Sequence, residues 1–207
     1  MKQDELFPRD LPAGLSYRGE FLSPQQEREL VATLRGLPLQ EAQYKQFTAR
    51  RRTLNYGSSY DFSTNTSLAA PELPPFLSGL REEIARWCGV PPESFVHALI
   101  AEYRPGTPLG WHRDVPEFEI IAGVSLVGAC RLRMRPYPWS PERRKDMISL
   151  QLAPRSAYIL RGEARWKWQH SVPPVKELRY SITLRTRRWE PTRSEGVPMR
   201  SKQVRVP

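Results

Sequence analysis

The sequence predicts an α+β protein that is mainly β, with N-terminal helices packed outside a C-terminal β core. Two observations predict this class. Amphipathic helical stripes occur before residue 94, and beyond it short runs rich in apolar, β-branched and aromatic residues recur between Gly and Pro. Many short strands with turn signals between them are typical of a sandwich, barrel or jelly roll. A chain of 207 residues suits one such domain.

Two helices are predicted in the N-terminal part. The first begins after Ser23, a good N-cap, with Pro24 at the first helical position and Gln26 where a capping box needs it, and it runs to Gly36. The second ends at Gly89. Its apolar stripe predicts packing against the core and consists of Leu77, Leu80, Ile84 and Trp87.

Seven strands are predicted after residue 94. They cover residues 95–103, 119–127, 130–137, 147–152, 156–160, 166–172 and 179–187. We therefore expect one domain over 1–187, with helices in 1–94 and the β core in 95–187. A tail rich in Pro and Arg follows over 188–207.

The charge balance is strongly basic. The chain carries 32 Lys and Arg against 22 Asp and Glu, a net charge of +10. Residues 185–207 hold seven basic and two acidic residues, which is half of that net charge. This balance favours an anionic partner, above all nucleic acid. A solvated end without a binding role explains the tail equally well.

Other features exclude several classes of protein. The first residues, Met-Lys-Gln-Asp-Glu-Leu, are too charged for a signal peptide, and no apolar run reaches 18 residues. Two cysteines make neither a disulfide framework nor a CxxC site. We expect a monomer without a membrane partner, located in the cytoplasm, or in the nucleus of a eukaryote.

The clearest chemical motif is Gly-Trp-His-Arg-Asp, in which His112 stands two residues before Asp114. Residues two apart in an extended chain point to the same side, so an imidazole and a carboxylate face one space. With three histidines and five aspartates in the whole chain, this spacing rarely arises by chance. The pair suggests two ligands of a metal ion, which needs a third.

His170 is the candidate third ligand. It lies in the strand-like run Trp-Lys-Trp-Gln-His-Ser-Val, far along the chain. Two histidines and one carboxylate form the facial triad of non-haem Fe(II) enzymes, and a Zn²⁺ hydrolase with the same ligands is the alternative. His97 lies in an apolar strand and is interpreted as a core or strand-face histidine.

The stretch Arg-Tyr-Ser-Ile-Thr-Leu-Arg, residues 179–185, alternates polar and apolar residues. One face of this strand is apolar, and the other is a polar row that begins with Arg179 and ends with Arg185. Two buried guanidinium groups need anions, and a dicarboxylate would supply them.

These stretches together resemble the AlkB-like family of 2-oxoglutarate- and Fe(II)-dependent dioxygenases. The match covers residues 102–114, 160–170 and 179–185 in the family's order and spacing. It implies a double-stranded β-helix (jelly-roll) core, and it implies Fe(II), 2-oxoglutarate and O₂ as reactants. It also implies residue roles. Iron is held by His112, Asp114 and His170, the cosubstrate by Tyr103 and Arg179, and Arg185 lies near the iron and the substrate.

The resemblance places a substrate lid at residues 47–62, Phe-Thr-Ala-Arg-Arg-Arg-Thr-Leu-Asn-Tyr-Gly-Ser-Ser-Tyr-Asp-Phe. In this interpretation three arginines hold phosphates and two tyrosines stack on a base. The candidate substrate residues are Arg50, Arg51, Arg52, Tyr56, Tyr60 and, further along, Arg161. A basic hairpin with packing aromatics is the alternative.

The chain differs from the well-studied DNA-repair members at three places. Ala101 replaces their Asn, Val115 and Pro116 follow the metal aspartate where many have an acid, and Arg161 stands where the bacterial repair type has a stacking Trp. The expected activity is demethylation of N-alkylated bases in DNA or RNA, as in DNA repair. A protein hydroxylase or demethylase is the alternative, and a non-catalytic nucleic-acid-binding module leaves the triad unexplained.

Overall fold

The computed structural model describes residues 11–44, 47–61, 66–69 and 72–188, with side chains for all of these except residues within 42–50 and 58–71. Its strands are β1 Leu15–Arg18, β2 Gln40–Tyr44, β3 Phe47–Tyr56, β4 Ser58–Asp61, β5 Thr66–Ala69, β6 Phe95–Tyr103, β7 Leu109–His112, β8 Phe118–Leu126, β9 Cys130–Pro136, β10 Ile148–Leu152, β11 Ala157–Leu160, β12 Trp168–Val172 and β13 Arg179–Arg187. Its α-helices are α1 Pro24–Arg35, α2 Ser78–Cys88 and α3 Gly162–Trp166. The described residues are therefore mainly β, as predicted.

Two antiparallel sheets face each other and form the core. The larger has the order β1-β11-β8-β13-β6-β3-β2, and the smaller has the order β10-β9-β12-β7. A separate pair is formed by β4 and β5. Buried side chains of both sheets meet between them, among them Ile121, Leu132, Met134, Leu152 and Leu160. This is the double-stranded β-helix that the sequence predicts.

The helices pack on the outer face of the larger sheet. The capping box predicted at the start of α1 is present, because Ser23 and Gln26 exchange side-chain and backbone hydrogen bonds. Gly89 ends α2 in the left-handed conformation, with φ of 71°. Apolar residues of α1 and α2 pack against the outer side chains of the sheet. The helices contribute Leu34, Leu80 and Ile84, and the sheet contributes Ile100 and Ile182. The prediction of helices outside a β core is confirmed.

The structure corrects several element boundaries. The larger sheet includes β1, β2 and β3, which lie before residue 95, where only helices and the lid were expected. Their polar sequences lack the apolar run of a buried strand. The strand predicted over 166–172 starts at Trp168, since α3 occupies 162–166. The four-residue β7 was not predicted because it is short and contains Gly110.

In the described part of the chain, no helix combines the length and the apolar character needed to cross a lipid bilayer. The polar residues that the sequence singled out lie instead between the two sheets. They occupy β6 and β13 on one side, and β7 and β12 on the other.

Candidate metal and cosubstrate site

Three side chains with metal-binding atoms meet between the sheets. His112 ends β7, Asp114 follows two residues later, and His170 lies opposite His112 on the neighbouring β12. One ligand atom from each residue lies within 4.8 Å of the others. Asp114 Oδ2 is 3.6 Å from His170 Nε2. The structure thus brings together the three residues that the sequence predicted.

Hydrogen bonding and burial prepare the two imidazoles to bind a metal. Nδ1 of His112 donates to the carbonyl of Gly110 at 2.9 Å, because a carbonyl only accepts, and this leaves Nε2 with its lone pair. Burial lowers the pKa of His112, and burial together with the neighbouring His112 lowers the pKa of His170 to about 3. Both rings are therefore neutral, the form that binds a metal.

Asp114 is held as a carboxylate by Arg185. Burial alone raises the pKa of Asp114, but the Arg185 guanidinium outweighs burial and holds this pKa well below its usual range. Nε and Nη2 of Arg185 donate to Asp114 Oδ1 at 2.8 and 2.6 Å. The anion that Arg185 needs is therefore Asp114, so the expectation that a dicarboxylate pairs with both arginines is corrected for Arg185.

His97 supports this pair from the larger sheet. Its Nδ1 lies 3.1 Å from Nη1 of Arg185, and since a guanidinium has no acceptor, the imidazole nitrogen accepts. Burial, aided by Arg185, lowers the pKa of His97 to about 3. His97 does not belong to the described metal-binding group, in agreement with its interpretation as a core histidine.

Arg165 on α3 holds the loop that carries Asp114. This side chain is 3% exposed, and its Nε and Nη2 donate to the backbone carbonyls of Asp114, Val115 and Phe118 at 2.7 to 3.2 Å. No sequence pattern gave Arg165 a role of its own. A basic residue in a five-residue helix gives no sign of burial, so only its place within residues 160–170, which resemble the AlkB-like family, marked it.

A second polar group lies at the other end of β13. Arg179 is 3% exposed and donates from Nε to Ser125 Oγ at 2.8 Å, while its buried Nη1 has no hydrogen-bond partner in the described part of the chain. Its guanidinium lies 4.9 Å from the ring centroid of Tyr103, its partner in the β6–β13 register. Burial raises the pKa of Tyr103, but Arg51 and Arg179 outweigh this effect and lower it.

One cavity joins the two groups. Its lining includes the three metal-binding residues, Tyr103, and the polar row of β13 from Arg179 through Ser181 and Thr183 to Arg185. The residues fit Fe(II) and a 2-oxo dicarboxylate. Two imidazoles and a carboxylate are the donor set of non-haem Fe(II), and the orphaned buried Nη1 of Arg179 needs an acceptor such as a carboxylate.

Comparison with known proteins agrees with this geometry. The family model described as "2OG-Fe(II) oxygenase superfamily" matches residues 14–192. The chain belongs to this superfamily. The structure of OsALKBH1 superimposes with a TM-score of 0.70 at 15% identity, covering 86% of this chain and 99% of that one. A prolyl-4-hydroxylase from Pseudomonas putida gives a TM-score of 0.57 at 16% identity, covering 86% and 94% of the two chains. Both likenesses concern the fold.

Relatives of this oxygenase include AlkB-like proteins. It is 29% identical over 184 residues to "Alkylated DNA repair protein ALKBH8 homolog" of Arabidopsis thaliana. This match covers 79% of this chain and 51% of the relative. It is 32% identical over 151 residues to "DNA oxidative demethylase ALKBH2" of Bos taurus, covering 65% and 52%. The chain spans about half the length of these two relatives. Membership of an oxygenase family decides against the Zn²⁺ hydrolase.

Strand alternation divides the predicted lid of this oxygenase. Arg51 lines the cavity, where its Nη1 donates to Tyr103 Oη at 3.4 Å. Arg52 points to the opposite face and is paired with Glu102 at 3.0 Å. Tyr56, on the face of Arg52, packs against Phe76 and the helix-side core. Arg52 and Tyr56 are therefore structural, and their predicted contacts with substrate are not supported. The side chains of Arg50 and Tyr60 lie outside the described residues.

Arg161 is also placed away from the cavity. Its Nη1 donates to the carbonyl of Cys88 at the end of α2, at 3.3 Å, and its backbone N–H donates to Gly14. The residue is absent from the lining of the cavity. Since β11 ends at Leu160 and α3 begins at Gly162, the chain turns here and directs Arg161 toward α2. The predicted substrate contact of Arg161 is therefore not found in this structure.

Proposed function

We propose that this oxygenase uses Fe(II), 2-oxoglutarate and O₂ to demethylate N-alkylated bases in DNA or RNA. The observation that carries the proposal is the cavity itself. One end holds the donor atoms of His112, Asp114 and His170, and the other holds the unpartnered buried Nη1 of Arg179. The net charge of +10 suits a nucleic-acid substrate, and the Bos taurus relative is described as a DNA oxidative demethylase.

Each residue of the cavity has a defined task in this proposal. The triad holds iron through His112 Nε2, a nitrogen of His170 and Asp114 Oδ2, the oxygen that Arg185 leaves open. Arg179, steered by Ser125, pairs with the distal carboxylate of the cosubstrate, and Tyr103 donates to the same group. Bound Fe(II) and 2-oxoglutarate supply, with O₂, an oxidation that inserts one oxygen atom into a C–H bond and releases succinate and CO₂.

The chemistry accounts for loss of a methyl group from nitrogen. One oxygen atom of O₂ enters the N–CH₃ group to give N–CH₂OH, and the other enters succinate. The hydroxymethyl adduct is a hemiaminal, whose C–N bond breaks to release formaldehyde and restore N–H. The residues of the cavity hold and orient the reactants, and the breakdown of the hemiaminal needs no further group from the protein.

Anaerobic reconstitution tests the proposal. The protein is loaded with Fe(II) and 2-oxoglutarate, exposed to O₂, and assayed for succinate and formaldehyde with single- and double-stranded DNA and RNA that carry N-methylated bases. We expect oligonucleotide-dependent formaldehyde in step with succinate. Replacement of Fe(II) by Zn²⁺ should abolish both products. Succinate without formaldehyde from any oligonucleotide would contradict the nucleic-acid substrate and favour a protein substrate, whereas no succinate would overturn the dioxygenase.

A further inference from the structure

Arg51 is a second guanidinium directed at the cosubstrate end of the cavity. Its Nη1 donates to Tyr103 Oη, and its guanidinium lies 6.0 Å from the Tyr103 ring centroid, where that of Arg179 lies 4.9 Å away. Among the residues that the structure describes, Nε of Arg51 and Nη1 of Arg179 are both buried without a hydrogen-bond partner. Two guanidinium groups therefore converge on one phenol, and each has a donor left over.

The cavity offers these donors no anion of its own. Asp114 is the sole carboxylate among its described lining residues, and Arg185 already holds that group. Ala101, on the strand next to Arg51, contributes a methyl group and no donor. Because the phenol oxygen of Tyr103 accepts from Arg51, its own hydrogen is available for an acceptor in the cavity.

We infer that Arg51 and Arg179 together clamp the distal carboxylate of the cosubstrate, and that Arg51 makes the site selective for a 2-oxo diacid. The inference rests on the proposed function. A carboxylate between two guanidinium groups and a phenol satisfies all three sets of donors at once. A 2-oxo monoacid of the same length leaves both arginines unpaired in a buried site.

Binding measurements with two ligands test this role. Arg51→Gln is compared with Arg104→Gln, which removes the same charge from a side chain next to Tyr103 that is 66% exposed. Anaerobic titration calorimetry in the presence of Fe(II) measures affinity for 2-oxoglutarate and for 2-oxopentanoate, which lacks the distal carboxylate. We expect Arg51→Gln to weaken 2-oxoglutarate about tenfold or more and 2-oxopentanoate little, and Arg104→Gln to change neither.

The outcomes separate the inference from the function on which it rests. If wild type binds 2-oxoglutarate and Arg51→Gln binds it equally well, the clamp is wrong and the proposed function stands. An equal loss for both ligands would also overturn the clamp, since it would show a general effect on the cavity. If wild type binds no 2-oxoglutarate, the proposed function fails first. Arg51→Lys should recover part of the selectivity, because a point charge cannot replace the planar fork.

An independent observation concerns the outer face of the smaller sheet. Arg133 and Arg135 of β9 lie over the ring of Trp111 at 5.1 and 4.4 Å, and Arg135 also lies over Trp139 at 5.1 Å. Arg131 is the exposed residue at the start of the same row. We call these five residues the arginine–tryptophan face. Stacking on the tryptophan rings fixes the guanidinium planes of Arg133 and Arg135.

The face is basic without compensating acids. Nε of Arg133 and of Arg135 donate to the neutral side chains of Ser171 and Gln169. The neighbours across β10 are the exposed Ser149 and Gln151, which are also uncharged. The ion pairs found among the described residues include none of the three arginines of the face. Three like charges on one strand therefore attract an external polyanion.

We propose that the arginine–tryptophan face binds single-stranded nucleic acid, with phosphates on the arginines and bases on the tryptophan rings. Its place in the fold supports this partner. Trp111 directly precedes the ligand His112 on β7, and Gln169 directly precedes His170 on β12. β7 thus carries Trp111 of the face next to the ligand His112, and β12 carries Gln169, the partner of Arg135, next to the ligand His170. A nucleic-acid strand bound here lies one sheet thickness from the cavity.

Salt-dependent binding of an unmethylated, labelled oligonucleotide tests the face without requiring catalysis. The double variant Arg131→Gln/Arg133→Gln is compared with the control double variant Arg28→Gln/Arg86→Gln. The control removes the same amount of charge from the exposed sides of α1 and α2. We expect the first pair to reduce the slope of log affinity against log salt by about 1.4 for a single strand, and the control pair to leave it unchanged. Trp139→Ala should weaken binding at every salt concentration without changing the slope.

Two results would overturn this proposal. Equal effects of the two pairs would show that net charge alone attracts the nucleic acid. Binding to vesicles of anionic phospholipid that depends on Arg131 and Arg133, without binding to oligonucleotides, would assign the face to a membrane surface. Affinity for 2-oxoglutarate, measured in parallel, should be the same in both pairs, because none of the four residues lines the cavity.

Discussion

At the scale of single residues, the metal site is built from hydrogen bonds that leave one atom of each ligand open. Nδ1 of His112 donates a hydrogen bond to the carbonyl of Gly110, and Oδ1 of Asp114 accepts one from Arg185. The oxygen of Asp114 left over, Oδ2, lies 3.6 Å from His170 Nε2. Partners of this kind fix the orientation of metal ligands and raise metal affinity by about 10- to 100-fold.

Loss of a ligand should abolish turnover. Asp114→Ala removes the carboxylate from the group of three and leaves Arg185 as a buried charge without its anion. We expect no succinate from this variant, measured under conditions in which its circular dichroism shows a folded protein. Asp146→Ala removes a partly exposed aspartate that pairs with Arg143, and it is the matched control. Succinate formed by Asp114→Ala at the wild-type rate would remove Asp114 from the ligand set.

Ser125 should influence the cosubstrate through Arg179. Ser125→Ala deletes the acceptor of the 2.8 Å hydrogen bond from Arg179 Nε, so the guanidinium loses its anchor while its charge remains. A hydrogen bond to a charged group contributes about 1.5 to 3 kcal/mol, and we expect 2-oxoglutarate to bind about tenfold more weakly. Calorimetric titration measures this effect. Affinity equal to wild type would show that packing against Tyr103 suffices to orient Arg179.

His97 should make the stability of the metal-free protein depend on pH. Burial and Arg185 lower the pKa of His97 from 6.5 to about 3 in the folded state, so the unfolded chain binds more protons between these values. The contribution of His97 to the free energy of unfolding is complete above pH 6.5 and is lost as the pH falls toward 3. Urea unfolding at pH 7 and pH 4.5 should show a smaller pH dependence for His97→Gln than for wild type. Equal dependences would contradict the buried neutral imidazole.

The residues of the site differ in how far the sequence predicts them. His112, Asp114 and Arg179 are predictable because their spacing and alternation are local patterns, and His170 is predictable because the chain has three histidines in all. The place of Arg51 is not, since it follows from the pairing of β3 with β6, whose residues lie about fifty positions apart. Register also separates Arg51 from Arg52: one residue faces the cavity and the next faces Glu102.

At the scale of elements, the short helix α3 matters more than its length suggests. Arg165 lies between the helix and the loop after β7, and its guanidinium donates to the backbone carbonyls of Asp114, Val115 and Phe118. Sequence patterns predicted a strand from Trp166, the last residue of this helix, because the aromatic residues there favour strands. The helix is formed instead because the chain must turn between β11 and β12.

Breaking this anchor should loosen the metal loop. Arg165→Gln cannot reach all three carbonyls, and we expect a loss of about 3 kcal/mol in the free energy of unfolding together with weaker Fe(II) binding. Denaturant unfolding and anaerobic iron titration measure the two effects. Lys167→Gln, two positions along and with a side chain 70% exposed, is the control. A variant as stable as wild type would show that water replaces the guanidinium.

At the scale of the whole molecule, two sheets enclose the cavity and the larger one also carries the helices. The β core after residue 94 follows from its apolar runs, and it is predictable. The N-terminal strands β2 and β3 are not, because β2 is an edge strand of the larger sheet and β3 lies next to it, where polar residues are tolerated.

The basic tail belongs to this scale, although residues 189–207 lie outside the described part of the chain. If the tail contacts phosphates, deletion of residues 191–207 should flatten the salt dependence by about 0.7 per lost contact on single strands. It should weaken all sequences alike, because phosphate contacts carry no sequence information. Binding at several salt concentrations measures both effects, and an unchanged slope would show that the tail serves solubility alone. Affinity for 2-oxoglutarate should be retained.

The edge strand β7 gives the site a dynamic property. This strand has one neighbour, β12, and their register is interrupted between His170 and Val172. Edge residues with few ladder bonds open at a small free-energy cost, so their amides exchange hydrogen with water quickly. A metal held jointly by His112, Asp114 and His170 ties this edge to its neighbour. Amide exchange in residues 109–114 should therefore slow on metal binding far more than in β13, whose protection comes from strands on both sides.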